Sequence, residues 1–169
     1  MKKAFTLLEL IFVIVVIGIL VAVILPKTRT NPLEEAVQKL LSYIKYTQHL
    51  SLMDDKYDKL SSNWYKKRWQ LQINNNELSI VSDINTSYAK NPLNIKKSLK
   101  NINFLDEYSV TISPATIISF DYLGRPYSNI QSINGSLLRN DYNITISDGN
   151  NNGIITIHPE TGYTDITYN

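Results

Sequence analysis

The stretch Leu10-Ile11-Phe12-Val13-Ile14-Val15-Val16-Ile17-Gly18-Ile19-Leu20-Val21-Ala22-Val23-Ile24-Leu25 contains no charge and no hydrogen-bonding side chain. Phe5, Leu7 and Leu8 extend it towards the N-terminus, and Pro26 follows it. As one helix, residues 5–25 would span about 31 Å at 1.5 Å per residue, which matches a hydrocarbon core of about 30 Å. Together with the elements further along the chain, the expected fold is an α+β chain: a long N-terminal helix with a transmembrane half and an amphipathic half, packed on an antiparallel β-sheet head. Lys2 and Lys3 should stay cytoplasmic, although Lys27 and Arg29 make the flanking charge bias shallow.

Two features set this segment apart from an ordinary export signal. The residues after it, Pro26-Lys27-Thr28, do not form a small-residue cleavage site. A plain signal anchor also leaves Glu9 unexplained, since a carboxylate deep in lipid costs about 2.5–3.5 kcal/mol. Pro26 lacks an N–H and clashes with the carbonyl four residues back, so a helix running through it should kink or break there.

The rest of the 169-residue chain is rich in Asn, Ser, Thr, Tyr and Ile, and suits one modest globular head. It has no cysteine, which removes disulfides, thiol nucleophiles and cysteine zinc sites. The net charge of +2 conceals a division. Residues 56–100 carry nine Lys or Arg against Asp58, Glu77 and Asp83, a net of +6, whereas residues 101–169 carry Arg125 and Arg139 against seven acids, a net of −5. Such polarity can orient subunits head to tail or attract an anionic partner, or it can be a solvated surface.

Asn31-Pro32-Leu33-Glu34 reads as a helix start, with Asn31 as N-cap and Pro32 at the first helical position. Leu33, Val37, Leu40, Leu41 and Ile44 then recur at spacings of three and four, an amphipathic stripe extending to about Leu52. Beyond residue 60 the period becomes two. Trp69 to Ile73 and Glu77 to Val81 flank Asn74-Asn75-Asn76 as a hairpin, with Trp69 in the core. Residues 84–101 show no period and are read as a loop. Strands are expected at Tyr108 to Ile112, Thr116 to Asp121, Tyr142 to Ser147, Ile154 to His158 and Tyr163 to Tyr168. The domain reading is residues 1–4 as a leader, 5–25 as the membrane helix, 26–55 as the amphipathic helix and 56–169 as the head.

Lys2-Lys3-Ala4-Phe5-Thr6-Leu7-Leu8-Glu9-Leu10-Ile11 resembles the prepilin leader of type IV pilins and pseudopilins. The resemblance implies cleavage by a prepilin peptidase between Ala4 and Phe5 and N-methylation of Phe5; Ala4 stands where the family usually has Gly. It gives Glu9 a role in filament assembly, pairing with the new ammonium group of Phe5 in a neighbouring subunit. Gly18 and the helix-kinking Pro26 have family parallels. A second resemblance, carried by Phe120-Asp121-Tyr122-Leu123-Gly124-Arg125-Pro126 and Pro159-Glu160-Thr161-Gly162, is to the GspH/FimT-like minor pseudopilins. It implies a structural filament subunit, not an enzyme, of a type II secretion or pilus-like machine. Its partners would be other pilins, the prepilin peptidase, an inner-membrane assembly platform and the lipid bilayer. The chain would be single-pass in the inner membrane with a periplasmic head. The DNA-binding members of that group carry a C-terminal Gly-Arg motif, whereas Tyr163 follows Gly162 here and no Arg lies beyond Arg139.

DNA uptake is the alternative function. Trp64-Tyr65-Lys66-Lys67-Arg68-Trp69 interleaves aromatics with Lys66, Lys67 and Arg68, a composition suited to stacking and phosphate contact or to a basic loop entering a strand. Asp148-Gly149-Asn150-Asn151-Asn152-Gly153 has oxygen ligands at alternate positions, but Pro159 stands where an EF-hand needs its bidentate Glu, so a hairpin turn is expected and no metal or other cofactor. His49 and His158 belong to no recognisable catalytic or metal motif and read as surface imidazoles.

Overall fold

The computed structural model describes residues 7–24, 31–128 and 136–169. The chain divides into two compact units, Met1–Asn31 and Pro32–Asn169. In the first unit, helix α1 is Leu7–Ile24. In the second, helix α2 is Pro32–Met53, followed by a 3-10 turn at Trp64–Lys67.

These elements correct the expected long helix with a transmembrane half. Among the described residues no helix is long and apolar enough to cross a membrane. Helix α1 has 18 residues, so it extends only about 27 Å, short of a hydrocarbon core of about 30 Å. Asn31 is not helical, so α1 and α2 are separate helices rather than two halves of one. Pro26 and its expected kink lie outside the described residues.

The β structure is also more divided than a single sheet. Strands β1 (Gln70–Asn74), β2 (Glu77–Ser82), β3 (Ser87–Tyr88), β6 (Ile102–Asn103), β8 (Thr116–Phe120) and β9 (Pro126–Tyr127) form the first sheet, in the order β3-β2-β1-β8-β9 with β6 also on β2. The second sheet comprises β7 (Thr111–Ser113), β10 (Tyr142–Ser147), β11 (Asn152–Ile157) and β12 (Thr164–Tyr168), in the order β12-β11-β10-β7. A separate two-stranded arm consists of β4 (Lys90–Asn91) and β5 (Asn94–Ser98). All pairings are antiparallel.

The β1–β2 turn is tighter than the three-Asn loop expected. Asn74 pairs with Glu77, leaving Asn75 and Asn76 as a two-residue turn, both with positive φ. Asn tolerates that region, and two such residues give the turn whose twist matches a hairpin. The expected loop over 84–101 is corrected to β3, β4 and β5. Every residue of β5 is exposed, so no apolar face marks it in the sequence. The strand expected from Tyr108 to Ile112 is instead a short helix α3, Phe104–Tyr108, followed by β7. The Asn103 side chain caps α3 by accepting from the amides of Leu105 and Asp106 at 3.0 and 3.2 Å.

Helix α2 lies between the inner faces of both main sheets, touching β1 and β8 of one and β10 and β11 of the other. Leu33, Val37, Leu40 and Ile44 are buried, as the stripe predicted, and burial of each contributes about 1.5–3 kcal/mol. Ala36, Tyr43, Thr47 and Ser51 complete the buried face. The two hydroxyls are satisfied within the helix: Thr47 donates to the Tyr43 carbonyl at 2.8 Å and Ser51 to the Thr47 carbonyl at 3.2 Å. Against them stand Leu71, Ile73, Leu78, Ile80, Ile118 and Phe120 of the first sheet, and Ile112, Ile144, Ile146, Ile155 and Ile157 of the second.

Helix α2 comes close to the second sheet at Gly153, where an added Cβ would collide with the Val37 side chain. The substitution Gly153→Ala should therefore lower stability by about 1–3 kcal/mol, because backbone and helix have to move apart. Urea unfolding reads this directly, and an unchanged midpoint would mean that the helix does not lie on β11.

Candidate functional site

The residues singled out in the sequence fall in different places. Glu9 is in the first turn of α1, where an acidic side chain is favoured by the helix dipole. The helix around it is apolar on every side, so it has no polar stripe to turn towards water. Ala4 and Phe5 lie outside the described residues.

The aromatic-basic segment does not form one cationic surface. Lys66 and Lys67 end the 3-10 turn and are half-buried. Arg68 turns inwards and is only 7% exposed, with its guanidinium carbon 4.8 Å from the Trp64 ring centre and 4.4 Å from that of Tyr127. Its Nε has no hydrogen-bond partner. The cation is thus held by two aromatic faces, an environment set by packing. Trp69 enters the core as predicted, and its indole Nε1 donates to Asp54 at 2.9 Å. Lys56, another cation of this region, lies 2.7 Å from Asp54 and 3.3 Å from Asp83, tying the end of α2 to the end of β2. The exposed positive charge that remains is concentrated on Lys59, Lys90, Lys96, Lys97 and Lys100.

The two turn motifs of the head meet at a residue that the sequence reading passed over. Gln48, on α2, donates from Nε2 to the Gly124 carbonyl at 2.9 Å and to the Thr161 carbonyl at 3.0 Å. Gly162 has φ +65°, and an added Cβ would come within 2.7 Å of both the Gly124 carbonyl oxygen and the Gln48 amide. A Gly there is required by both conformation and space. In the other turn, buried Asp121 accepts from the amides of Leu123 and Arg125, from Arg125 Nε at 2.7 Å and from the Tyr127 hydroxyl at 3.2 Å. These motifs are therefore structural joints, and Asp121 is fully occupied in holding one of them.

The Asp148 turn is a hairpin between β10 and β11, with Ser147 paired to Asn152. Asp148 accepts from the amides of Asn150 and Asn151 at 2.8 and 2.7 Å. The Asn151 amide first, then that of Asn150, hold its carboxyl below the usual range.

His158 is more than the plain surface imidazole expected. Its Nδ1 lies 2.8 Å from Asp141 and its Nε2 2.7 Å from Asp165, and Tyr163 stacks on the ring with centres 5.8 Å apart. Strand register creates the cluster. Tyr142 pairs with Ile157 and Asp165 with Thr156, which brings Asp141 and Tyr163 opposite His158 and Asp165 to its diagonal. These partners are 17 and 7 residues away from His158 in the chain, so only the sheet register reveals them. With both ring nitrogens engaged, the imidazole is arranged as a clasp rather than as a base or metal ligand. Among the described residues no group of acids and imidazoles could hold a metal ion.

No family model, curated protein or solved structure matches the chain.

The Asp165 carboxylate, then that of Asp141, raises the His158 pKa above its ordinary 6.5. A pKa raised on folding contributes stability that is fully present below the unfolded value and lost as pH rises through the folded one. The stability difference between the native chain and His158→Gln should therefore be largest near pH 5.5 to 6.5 and shrink by about pH 9. A difference that stays constant across that range would show that the clasp does not depend on the charge of His158.

Proposed function

We propose that the chain is a minor pilin or pseudopilin, a structural subunit of a filament of the type II secretion or type IV pilus kind. The observation that carries this reading is the order Lys2-Lys3-Ala4-Phe5-Thr6-Leu7-Leu8-Glu9 leading directly into an apolar helix. A prepilin peptidase would cut between Ala4 and Phe5, and Phe5 would become the methylated first residue. The new ammonium group lies one helical turn before Glu9, within reach of pairing between adjacent subunits. Such a pair offsets two desolvation costs at once, and removing one member leaves the other charge uncompensated.

The remaining features suit the same role. An all-round apolar helix is suited to lipid or to the packed axis of a helical assembly. The head supplies a rigid body made of α2 and two sheets, with its cations and acids unevenly distributed over its surface. The subunit would assemble at an inner-membrane platform with its head on the periplasmic side. DNA uptake has weaker support, because Arg68 is enclosed by Trp64 and Tyr127 and Lys66 and Lys67 do not extend a stripe with it.

Glu9→Ala should leave membrane association intact and reduce recovery of the subunit in sheared filament fractions by tenfold or more, about 1.4 kcal/mol or greater in assembly. Equal recovery of mutant and native chains would remove the assembly role of Glu9.

A further inference from the structure

Among the described residues, the head leaves open two strand edges of opposite charge. The first belongs to the β4–β5 arm. Its base is fixed to the first sheet: the Ala89 amide donates to the Ile80 carbonyl at 2.9 Å, and the Ile80 amide to the Leu99 carbonyl at 3.0 Å. Ala89 and Leu99 are buried there, whereas all of β5 is exposed. The arm carries Lys90, Lys96 and Lys97 together with two aliphatic side chains in water, Leu93 at 87% and Ile95 at 75% exposure. Lysines alone would be an ordinary guard for a free strand edge. Two bare aliphatics on the same arm are not part of such a guard.

The second open edge is β12, the terminal strand of the second sheet. Asn152 and Asn169 exchange both backbone bonds at 2.9 Å, so by alternation the backbone groups of Thr164, Ile166 and Tyr168 point away from β11. Two exposed acids mark this edge: Asp165 on the strand, whose carboxylate also lies 2.7 Å from His158 Nε2, and Glu160 in the turn before it. Tyr168 is exposed and Ile166 half-buried.

We propose that the β4–β5 arm of one chain adds as an antiparallel strand to the β12 edge of a second copy. One register satisfies both patterns. Placing Ile95 opposite Ile166 also places Lys96 opposite Asp165 on the other face, with Leu93 in the β4–β5 turn just beyond the paired segment. Strand addition supplies main-chain hydrogen bonds, and alternate side chains supply the selection. Arm and edge occupy different parts of the head, so the contact is heterologous and repeats from copy to copy instead of closing as a two-fold pair. The pairing extends the filament reading by naming how successive heads touch, but it does not depend on cleavage before Phe5.

The absence of native cysteine makes a direct test available in the full chain in detergent. An Asn94→Cys chain is mixed with a size-tagged Thr167→Cys chain and oxidised. The register sets these two exposed positions opposite each other, so a mixed disulfide dimer is expected. Adding Lys96→Glu and Lys97→Glu to the first chain should lower its yield by about tenfold, since like charges then face each other. Far-UV circular dichroism of each variant checks that it is folded. No mixed dimer from folded chains would overturn the pairing and leave the arm as a lysine-guarded edge. Equal or better linkage to Thr111→Cys, on the opposite edge of the same sheet, or a yield unaffected by charge reversal would also overturn it. A chain that keeps Met1 yet links would remove the filament reading alone; a processed, assembled chain that does not link would remove the pairing alone.

Discussion

Helix α2 has to bury one stripe against two sheets at once, and the rest of the head follows from that constraint. Val37 packs so close to β11 that only a Gly leaves room at position 153. Further along, Gln48 reaches from the same helix to two turns separated by almost forty residues of chain. Its amide satisfies carbonyls of both, so the turns after β8 and β11 are fixed to the helix and to each other. Near its end, Asp54 accepts from Trp69 and joins Lys56 and Asp83. Core packing, turn geometry and the α2 terminus are therefore parts of one structure.

Charge in the head serves two purposes that composition does not separate. Lys56, Arg68 and Arg125 are used internally, the first and third against carboxylates and the second between aromatic rings. Asp121 is likewise buried in its turn. After these are set aside, the basic segment is chiefly the arm around β5 and the acidic segment is chiefly the surface around β12, α3 and the Asp148 turn. The +6 of residues 56–100 is thus carried mostly by exposed lysines, whereas the acids of residues 101–169 are spread over α3, the Asp148 turn and the β12 edge.

Much of this architecture was legible before any coordinates. The α2 stripe gave its start at Pro32 and its inward face, because apolar residues at spacings of three and four leave little choice. The strands from Tyr142 onward were legible from Ile alternation, with Gly and Asn between them. What escaped had no periodic signal. Strand β5 buries nothing, α3 is a single turn set by the Asn103 cap, and the His158 clasp exists only because sheet register brings Asp141 and Asp165 to it. The long membrane-crossing helix failed for a different reason: hydropathy marks an apolar run but does not fix a helix's bounds, and over the described residues α1 is Leu7–Ile24 with Asn31 outside both helices. The Gly124 and Gly162 turns are joints held by Gln48, a residue with no motif of its own.

The proposed filament role would bring these parts under one physical idea, in which an apolar helix with one acidic residue would pack among copies of itself while the head would meet the next head through edges of opposite charge. In that proposal the bond between Ala4 and Phe5 is decisive, because only cleavage there would turn the amide before Phe5 into an ammonium group that Glu9 could compensate. Intact-mass measurement of the chain extracted from membranes tests this most directly. A species lacking Met1–Ala4 and carrying one added methyl group on Phe5 is expected, and a chain that still begins at Met1 would contradict it.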